Sequence, residues 1–236
     1  MSAVVGIIPA RMASSRFPGK PLATINGKTM LEHVWAAANE YTGWAGPIRV
    51  ATCDAEIADF AIRHEWPCGR TGSHHVRALD RVAELAERYD LDGNDIVVCV
   101  QGDEPLVQGK EIAQLIDGMG TAGALAIMAR PLAAGEHADP NAVKLVTDRG
   151  NRMLYSTRAA IPATHRIGGI FAFRWRVLRH FTGMQESPLE RAERCDVNRL
   201  VDNGIFPTVV KVARAVPSVD VPEDIARVMA CLDAGR

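Results

Sequence analysis

Residues 4–22 read VVGIIPARMASSRFPGKPL, and the reading of this stretch decides the fold class. Val4 to Ile8 is a run of β-branched and small apolar residues, the mark of a buried strand. The run breaks at Pro9 into a loop that holds Arg11, Arg16 and Lys20, together with Gly19 and two more prolines. The strand fixes the root of the loop, the prolines limit its entropy, and Gly19 lets the backbone approach a ligand closely. Three cations on a stiff loop directly after a first strand suit a polyphosphate. The plain alternative is a solvated basic loop. The stretch is neither a Walker A loop nor a Gly-x-Gly-x-x-Gly turn.

Outward from this stretch, strand and helix signals alternate. Thr29 with Glu32 forms a capping box opening a helix through about Ala38. Ile48 to Ala51 reads as a strand, with Asp54 placed to cap the helix that follows. Val76, Leu79, Val82 and Ala86 recur at helical spacing within 76–89, and Ile96 to Val100 is a continuous apolar run typical of a central parallel strand. Ile112, Leu115 and Ile116 mark another helix, and Ala124 to Ala129 another strand. This order predicts an α/β fold with a doubly wound, mostly parallel sheet and a ligand over the carboxyl ends of its strands.

From about 131 to 173 the character changes to short strands, Val143 to Val146 and Gly168 to Phe173, with irregular chain between. This segment reads as a small inserted mixed-strand lobe within a single domain spanning 1–236. Leu189 to Asn203 reads as a polar helix ended by Gly204, and Thr208 to Val212 as a strand. Pro222, Glu223 and Asp224 open a last helix.

Bulk properties narrow the function. A chain of 236 residues is ample for a sizeable core, and a net charge of −1 supplies no basic field for nucleic acid. No apolar run is long enough to span a bilayer and no signal peptide is visible, so no membrane partner is expected. The five cysteines are odd in number and lack CxxC spacing, which fits a reducing cytoplasmic setting without a zinc site or disulfide frame.

Two acidic positions carry candidate chemistry. Gln101-Gly102-Asp103-Glu104-Pro105 follows the apolar strand at 96–100. A carboxylate there faces the ligand crevice, and beside a triphosphate it suits Mg²⁺. A simple turn explains the same residues equally well. Asp220, between Val219 and Val221, is on residues alone an equally ordinary aspartate at a helix start.

IPARMASSRFPGKPL (8–22) resembles the nucleotide-binding loop of the CMP-sugar synthetases, most closely the 3-deoxy-manno-octulosonate (Kdo) cytidylyltransferases. The resemblance recurs, in one order, at VCVQGDEPLV (98–107), DPNAVKLVTD (139–148), LYSTRAAIP (154–162), GIFAFR (169–174), SPLERAE (187–193) and VDVPEDIARV (219–228). It implies a Rossmann-like nucleotidyltransferase fold and transfer of CMP from CTP to an anionic acceptor, with release of pyrophosphate. It further implies Mg²⁺ and a homodimer whose interface, with one wall of the acceptor pocket, comes from the lobe. The carried-over catalytic residues are Arg11, Lys20 and Asp103, with Asp103 and Asp220 binding metal. Nucleotide contacts are implied for Ala10, Arg11, Arg16, Lys20, Thr71, His75, Arg81 and Gln101. No Ser–His–Asp set is needed, because the acceptor's own oxygen can attack the α-phosphorus; positioning and charge neutralisation then supply most of the rate.

The departures from the family pattern cluster. TGSHHVRALDR (71–81) has Arg77-Ala78-Leu79 where the family has Ser-Gly-Thr. HRIGGIFAF (165–173) leaves the family's His out of register with His165, and ERCDVNR (193–199) has Asp196-Val197 for a Glu-Gln pair. In the family these blocks lie mostly on the acceptor side, so Arg77, Arg158, His165, Arg166, Asp196 and Asn198 form the expected acceptor set. The added guanidinia of Arg77 and Arg166 favour a carboxylate, phosphate or phosphonate. Two acceptors stand level: Kdo, with the departures as drift, and a small phosphonate such as phosphonoformate. A nucleotidyltransferase for another nucleotide and a sugar phosphate would carry a Gly-rich opening loop, which is absent. A non-catalytic nucleotide-binding protein is disfavoured by the intact Arg11, Lys20 and Asp103.

Overall fold

Strand β1 (Val4–Pro9) forms at the opening apolar run, in a computed structural model that describes residues 2–234. A hairpin of β2 (Thr24–Ile25) and β3 (Lys28–Thr29) leads into α1 (Met30–Asn39), where the Thr29–Glu32 capping box is formed. Then come β4 (Arg49–Thr52), α2 (Ala55–Arg63), β5 (Cys68–Arg70), α3 (Ala78–Ala86), β6 (Ile96–Val100), α4 (Gly109–Met119) and β7 (Leu125–Pro131). The short β8 (Lys144–Thr147) and β9 (Met153–Thr157) precede the long β10 (His165–Arg174). The chain closes with α5 (Trp175–Thr182), α6 (Pro188–Glu193), α7 (Val197–Asp202), β11 (Thr208–Lys211) and α8 (Asp224–Ala234).

The main sheet runs β11-β7-β10-β6-β1-β4-β5, and β10 alone is antiparallel to its neighbours in it. Because side chains alternate across a strand, each central strand feeds two cores. Ile7, Val97, Cys99, Phe171 and Phe173 pack on one face with α3, α5 and α7. Ile8, Val98, Val100, Ile170 and Ala172 pack on the other with α1, α2 and α4. Both faces of the central strands are thus covered, which is why β6 reads as unbroken apolar sequence. Among the described residues no helix is long and apolar enough to cross a membrane.

Several expectations shift. The segment 131–173 is not wholly an appendage: residues 170–174 of β10 lie in the middle of the main sheet, against β6. Only β8, β9 and the chain around them form the side lobe, joined through the pairing of Arg166 with Lys144. Strand β9 lies where irregular chain was expected. The helix foreseen from Val76 starts at Ala78, leaving Val76 exposed. The helix foreseen over 189–203 breaks where Arg194 adopts a left-handed φ of 52°.

A bulge between Ile167 and Phe171 lets β10 serve both the sheet and the lobe. Gly169 sits in it at φ +71°, and a Cβ there would stand 2.3 Å from Cγ of Glu104. Gly169→Ala is expected to destabilise the fold by about 1–3 kcal/mol through backbone strain and displacement of Glu104, measured by urea unfolding. An unchanged midpoint would show that the bulge relaxes freely.

Candidate active site

Strands β1 and β6 are parallel neighbours, so the loops that leave their carboxyl ends emerge side by side. Ala10 extends the strand register by donating its N–H to Ala51 O at 2.9 Å. The N–H of Met12 donates to Asp54 Oδ2 at 2.8 Å. Asp54, expected to cap α2, thus anchors the basic loop and makes no side-chain cap. Gly19, at φ +76°, turns the chain into a short 3-10 turn that presents Lys20. The second loop, at Gly102, lies so close that a Cβ there would be 2.9 Å from the Pro9 carbonyl oxygen.

The two loops and the segment before α8 meet through crossed ion pairs. Lys20 Nζ donates to Asp103 Oδ2 at 2.7 Å and to Val219 O at 2.8 Å. Arg16 donates to Asp220 Oδ1 at 2.6 Å and also to Asn141 Oδ1. The N–H of Val219 donates to Asp103 O at 3.1 Å. Burial raises the Asp220 carboxyl above its ordinary range and the charge of Asp103 adds to this, while Arg16 and Lys20 oppose it. Behind them, burial pushes Glu104 up to about 8 against the pull of Arg166 and Arg130. At neutral pH Glu104 is therefore mostly a neutral acid.

In front of these pairs opens a cavity of about 860 Å³. Its walls include Ala10, Arg11, Arg16, Lys20, Gln101 and Asp103 from the two loops. They also carry Arg77, Arg81, Arg158 and Asp196. Arg81 is buried and donates to Thr71 Oγ1 and, at 3.4 Å, to Gly72 O. Arg158 is held by Glu193 O at 2.9 Å and Pro140 O at 2.8 Å.

Six expected site residues are not on the cavity walls, among them Asp220, which pairs with the lining residue Arg16. Thr71 is buried and serves to hold Arg81. His75 turns to Glu84, with Nε2 2.5 Å from Oε2. His165 pairs across the sheet with Pro131 and contacts Thr164 Oγ1 at 2.8 Å. Arg166 points into the core, donating to Val216 O and lying 3.4 Å from Glu136. Asn198 is fully buried and clips α7 to β9 by hydrogen bonds of 3.0 Å to Ser156 N–H and Ser156 O. A guanidinium or amide in these positions finds closer partners in the core than a ligand could offer.

The arrangement suits a phosphate chain along the basic loop and a second reactant against the arginine-bearing wall. A family model described as Cytidylyltransferase matches residues 5–211. The chain belongs to the cytidylyltransferase family. It is 40% identical over 233 residues to the 3-deoxy-manno-octulosonate cytidylyltransferase of Nitratidesulfovibrio vulgaris (strain Hildenborough), covering 93% of this chain and 92% of that one. It is 40% identical over 241 residues to the enzyme of the same name from Pectobacterium carotovorum subsp. carotovorum, covering 94% and 95%. The solved structure of CMP:2-keto-3-deoxy-manno-octonic acid synthetase complexed with CTP superposes with a TM-score of 0.89 at 32% identity, covering 100% of both chains.

Within this cytidylyltransferase, sequence reasoning missed Arg191, Arg194 and Asn141, all on the cavity wall. Asn141 and Arg191 lie inside the blocks DPNAVKLVTD and SPLERAE, so a signal was present, but their residue types did not single them out. Asp224 was read only as a helix-opening acid. Its Oδ2 accepts the N–H of Asp220 at 2.9 Å and of Val221 at 3.1 Å, which fixes the Asp220 backbone.

Asp196 yields a pH prediction. Burial pushes its carboxyl up to about 6; the N–H of Leu79, at 3.2 Å, pulls it down, and Asp80 and Glu190 push it up. A carboxyl raised on folding binds its proton more tightly in the folded state. Its contribution is present below about pH 4 and lost as pH rises through 6. Asp196→Asn removes this titration and keeps an acceptor for Leu79. The stability of the variant relative to the unaltered protein is expected to rise by up to about 3 kcal/mol from pH 4 to pH 7, measured by urea unfolding at each pH. A flat difference would mean that Asp196 titrates normally.

Proposed function

We propose that this enzyme transfers CMP from CTP to a small anionic acceptor and releases pyrophosphate. The carrying observation is the crossed pairing of Lys20 with Asp103 and Arg16 with Asp220, three of which (Lys20, Asp103 and Arg16) line one cavity. Such a set can exchange partners: the cations turn to phosphate oxygens and the carboxylates to a divalent ion.

The donor set fits Mg²⁺. Among the described residues no three His, Cys, Asp or Glu side chains gather closely enough to hold a metal alone. Two carboxylates that repel one another, completed by phosphate oxygens and water, are what Mg²⁺ accepts. Asp103 and Asp220 would hold it, and it would neutralise charge on the triphosphate. Lys20, Arg16 and Arg11 would bind the β- and γ-phosphates, stabilising the departing pyrophosphate. The acceptor oxygen forms the bond to the α-phosphorus as the bond from that phosphorus to pyrophosphate breaks. Arg77 and Arg158 would orient the acceptor.

The names of the relatives make Kdo the first acceptor to test. A second reading, a small phosphonate such as phosphonoformate, is favoured by Arg77 on the acceptor-side wall, although Arg166 no longer supports it. A homodimer through the lobe belongs to the same reading, and sedimentation equilibrium tests it.

Pyrophosphate release with CTP and Mg²⁺ against Kdo, a sialic acid, phosphonoformate and a hydroxyalkyl phosphonate is the direct test. Release with none of them would overturn the reading. Asp103→Asn is expected to lower kcat by at least about a hundredfold while leaving the melting temperature within a few degrees; substantial turnover with Mg²⁺ would remove Asp103 from the metal site. Arg77→Ala is expected to raise the acceptor KM far more than the CTP KM, and equal effects would place Arg77 outside the acceptor subsite.

A further inference from the structure

Basic side chains outnumber carboxylates on the cavity walls, most of all on the side of Arg77 and Arg191. The acid that answers these two lies outside the cavity. Glu186 Oε1 accepts from Arg77 at 3.0 Å, and its Oε2 accepts from Arg191 Nε at 3.3 Å. Both guanidinia line the cavity and Glu186 does not. Glu186 is exposed, in the irregular segment between α5 and α6. Hydrogen bonds from Arg191 and Arg77 hold its carboxyl below the ordinary range.

The two arginines differ in freedom. The side chain of Arg77 is 17% exposed and is backed by the buried Glu190, whose Oε1 lies 3.5 Å from Arg77 Nε. That Nε is buried and has no hydrogen-bond partner. The side chain of Arg191 is 69% exposed and can swing.

We propose that Glu186 is a stand-in anion: it holds Arg77 and Arg191 as a two-guanidinium fork until a carboxylate or phosphonate group of the acceptor displaces it. The inference rests on the cytidylyltransfer reading and adds the residue that tunes acceptor affinity. An exposed carboxylate between two guanidinia is a weak, salt-screened competitor. An acceptor oxyanion offers the same fork geometry and reaches it from the cavity side. Glu186 thereby offsets the repulsion between two like charges in the empty enzyme and yields to a ligand whose charge is better placed.

Glu186→Gln tests this, since the residue is exposed and lies outside the helices. The acceptor KM, for Kdo or phosphonoformate at saturating CTP, is expected to fall about two- to fivefold. The CTP KM should not move, and the gain should shrink at high salt. Arg191→Gln should raise the acceptor KM with the CTP KM unchanged. An acceptor KM that is unchanged or higher in Glu186→Gln would overturn the proposal and make Glu186 a mere rim tie. Lack of turnover by the unaltered protein with either acceptor would instead count against the cytidylyltransfer reading. Calorimetric titration of phosphonoformate into the CTP-loaded proteins then decides this one: tighter binding to Glu186→Gln supports it, and equal binding overturns it.

Discussion

Asp103, on the cavity wall, and Asp220, more than a hundred positions further along the chain, act on one another electrostatically, and their mutual repulsion is held in check by Lys20 and Arg16. The charge of Asp103 raises the cost of ionising Asp220, which burial already makes unfavourable. The chain answers with a cation for each, both drawn from the stiff loop after β1. Lys20 is further fixed by Val219 O, next to Asp220. The site is thus a balanced set of charges in which each loop is held by the others. In the proposed reaction the same balance would be met by a different pairing, with phosphate on the cations and metal on the carboxylates. Neither new partner would be well received without the other, because each alone would leave an unmatched charge.

That geometry is a consequence of the sheet. Parallel strands β1 and β6 end at one edge, and their following loops come into contact only because Gly102 has no Cβ. The antiparallel β10 enters between β6 and β7 and brings Gly169 under the second loop, where Gln101 N–H donates to Gly169 O at 3.0 Å. The bulge there makes room for Glu104. A carboxyl placed next to Asp103 but kept mostly protonated adds packing without adding another negative charge to the head of the cavity. The strand that breaks the parallel pattern therefore also props the turn that carries Asp103.

Much of this was legible in the residues. The unbroken apolar runs at 4–8 and 96–100 announce strands buried on both faces, and the Thr29–Glu32 box is a local signal that tertiary packing leaves alone. That the loop cations and Asp103 would lie at the crevice was legible, because they directly follow strands, and all of them line the cavity. Partners across the fold were not. Asp54 looked like a helix cap because its neighbours are a helix start, yet a distant N–H claimed it. Arg194 gave no warning of a left-handed break, since nothing in its neighbourhood distinguishes it from a residue in a continuing helix. Thr71, His75 and Asn198 are polar residues near the site whose hydrogen bonds happen to be satisfied by other protein groups, and polarity alone does not say which way a side chain turns.

Arg166 shows the same point with charge. In the sheet it pairs with Arg130 of β7 and Lys144 of β8, so three buried cations adjoin one another. Left alone they would be prohibitively costly. Glu111 takes Arg130 through two hydrogen bonds of 2.8 Å, the Asp139 carbonyl takes Lys144, and Glu136 lies 3.4 Å from Arg166. Glu136 also lies 3.8 Å from Arg227, which bonds Asp224 at 3.1 Å, and Asp224 in turn holds the backbone of Asp220. An arginine that seemed to enlarge the acceptor pocket is instead the buried start of a chain of charges that runs through the exposed Arg227 to the backbone of Asp220. Its extra charge is matched inside the fold, whereas that of Arg77 is matched only by groups at the rim and behind it. Of these two added guanidinia, only that of Arg77 has a partner that an acceptor in the proposed reaction could displace.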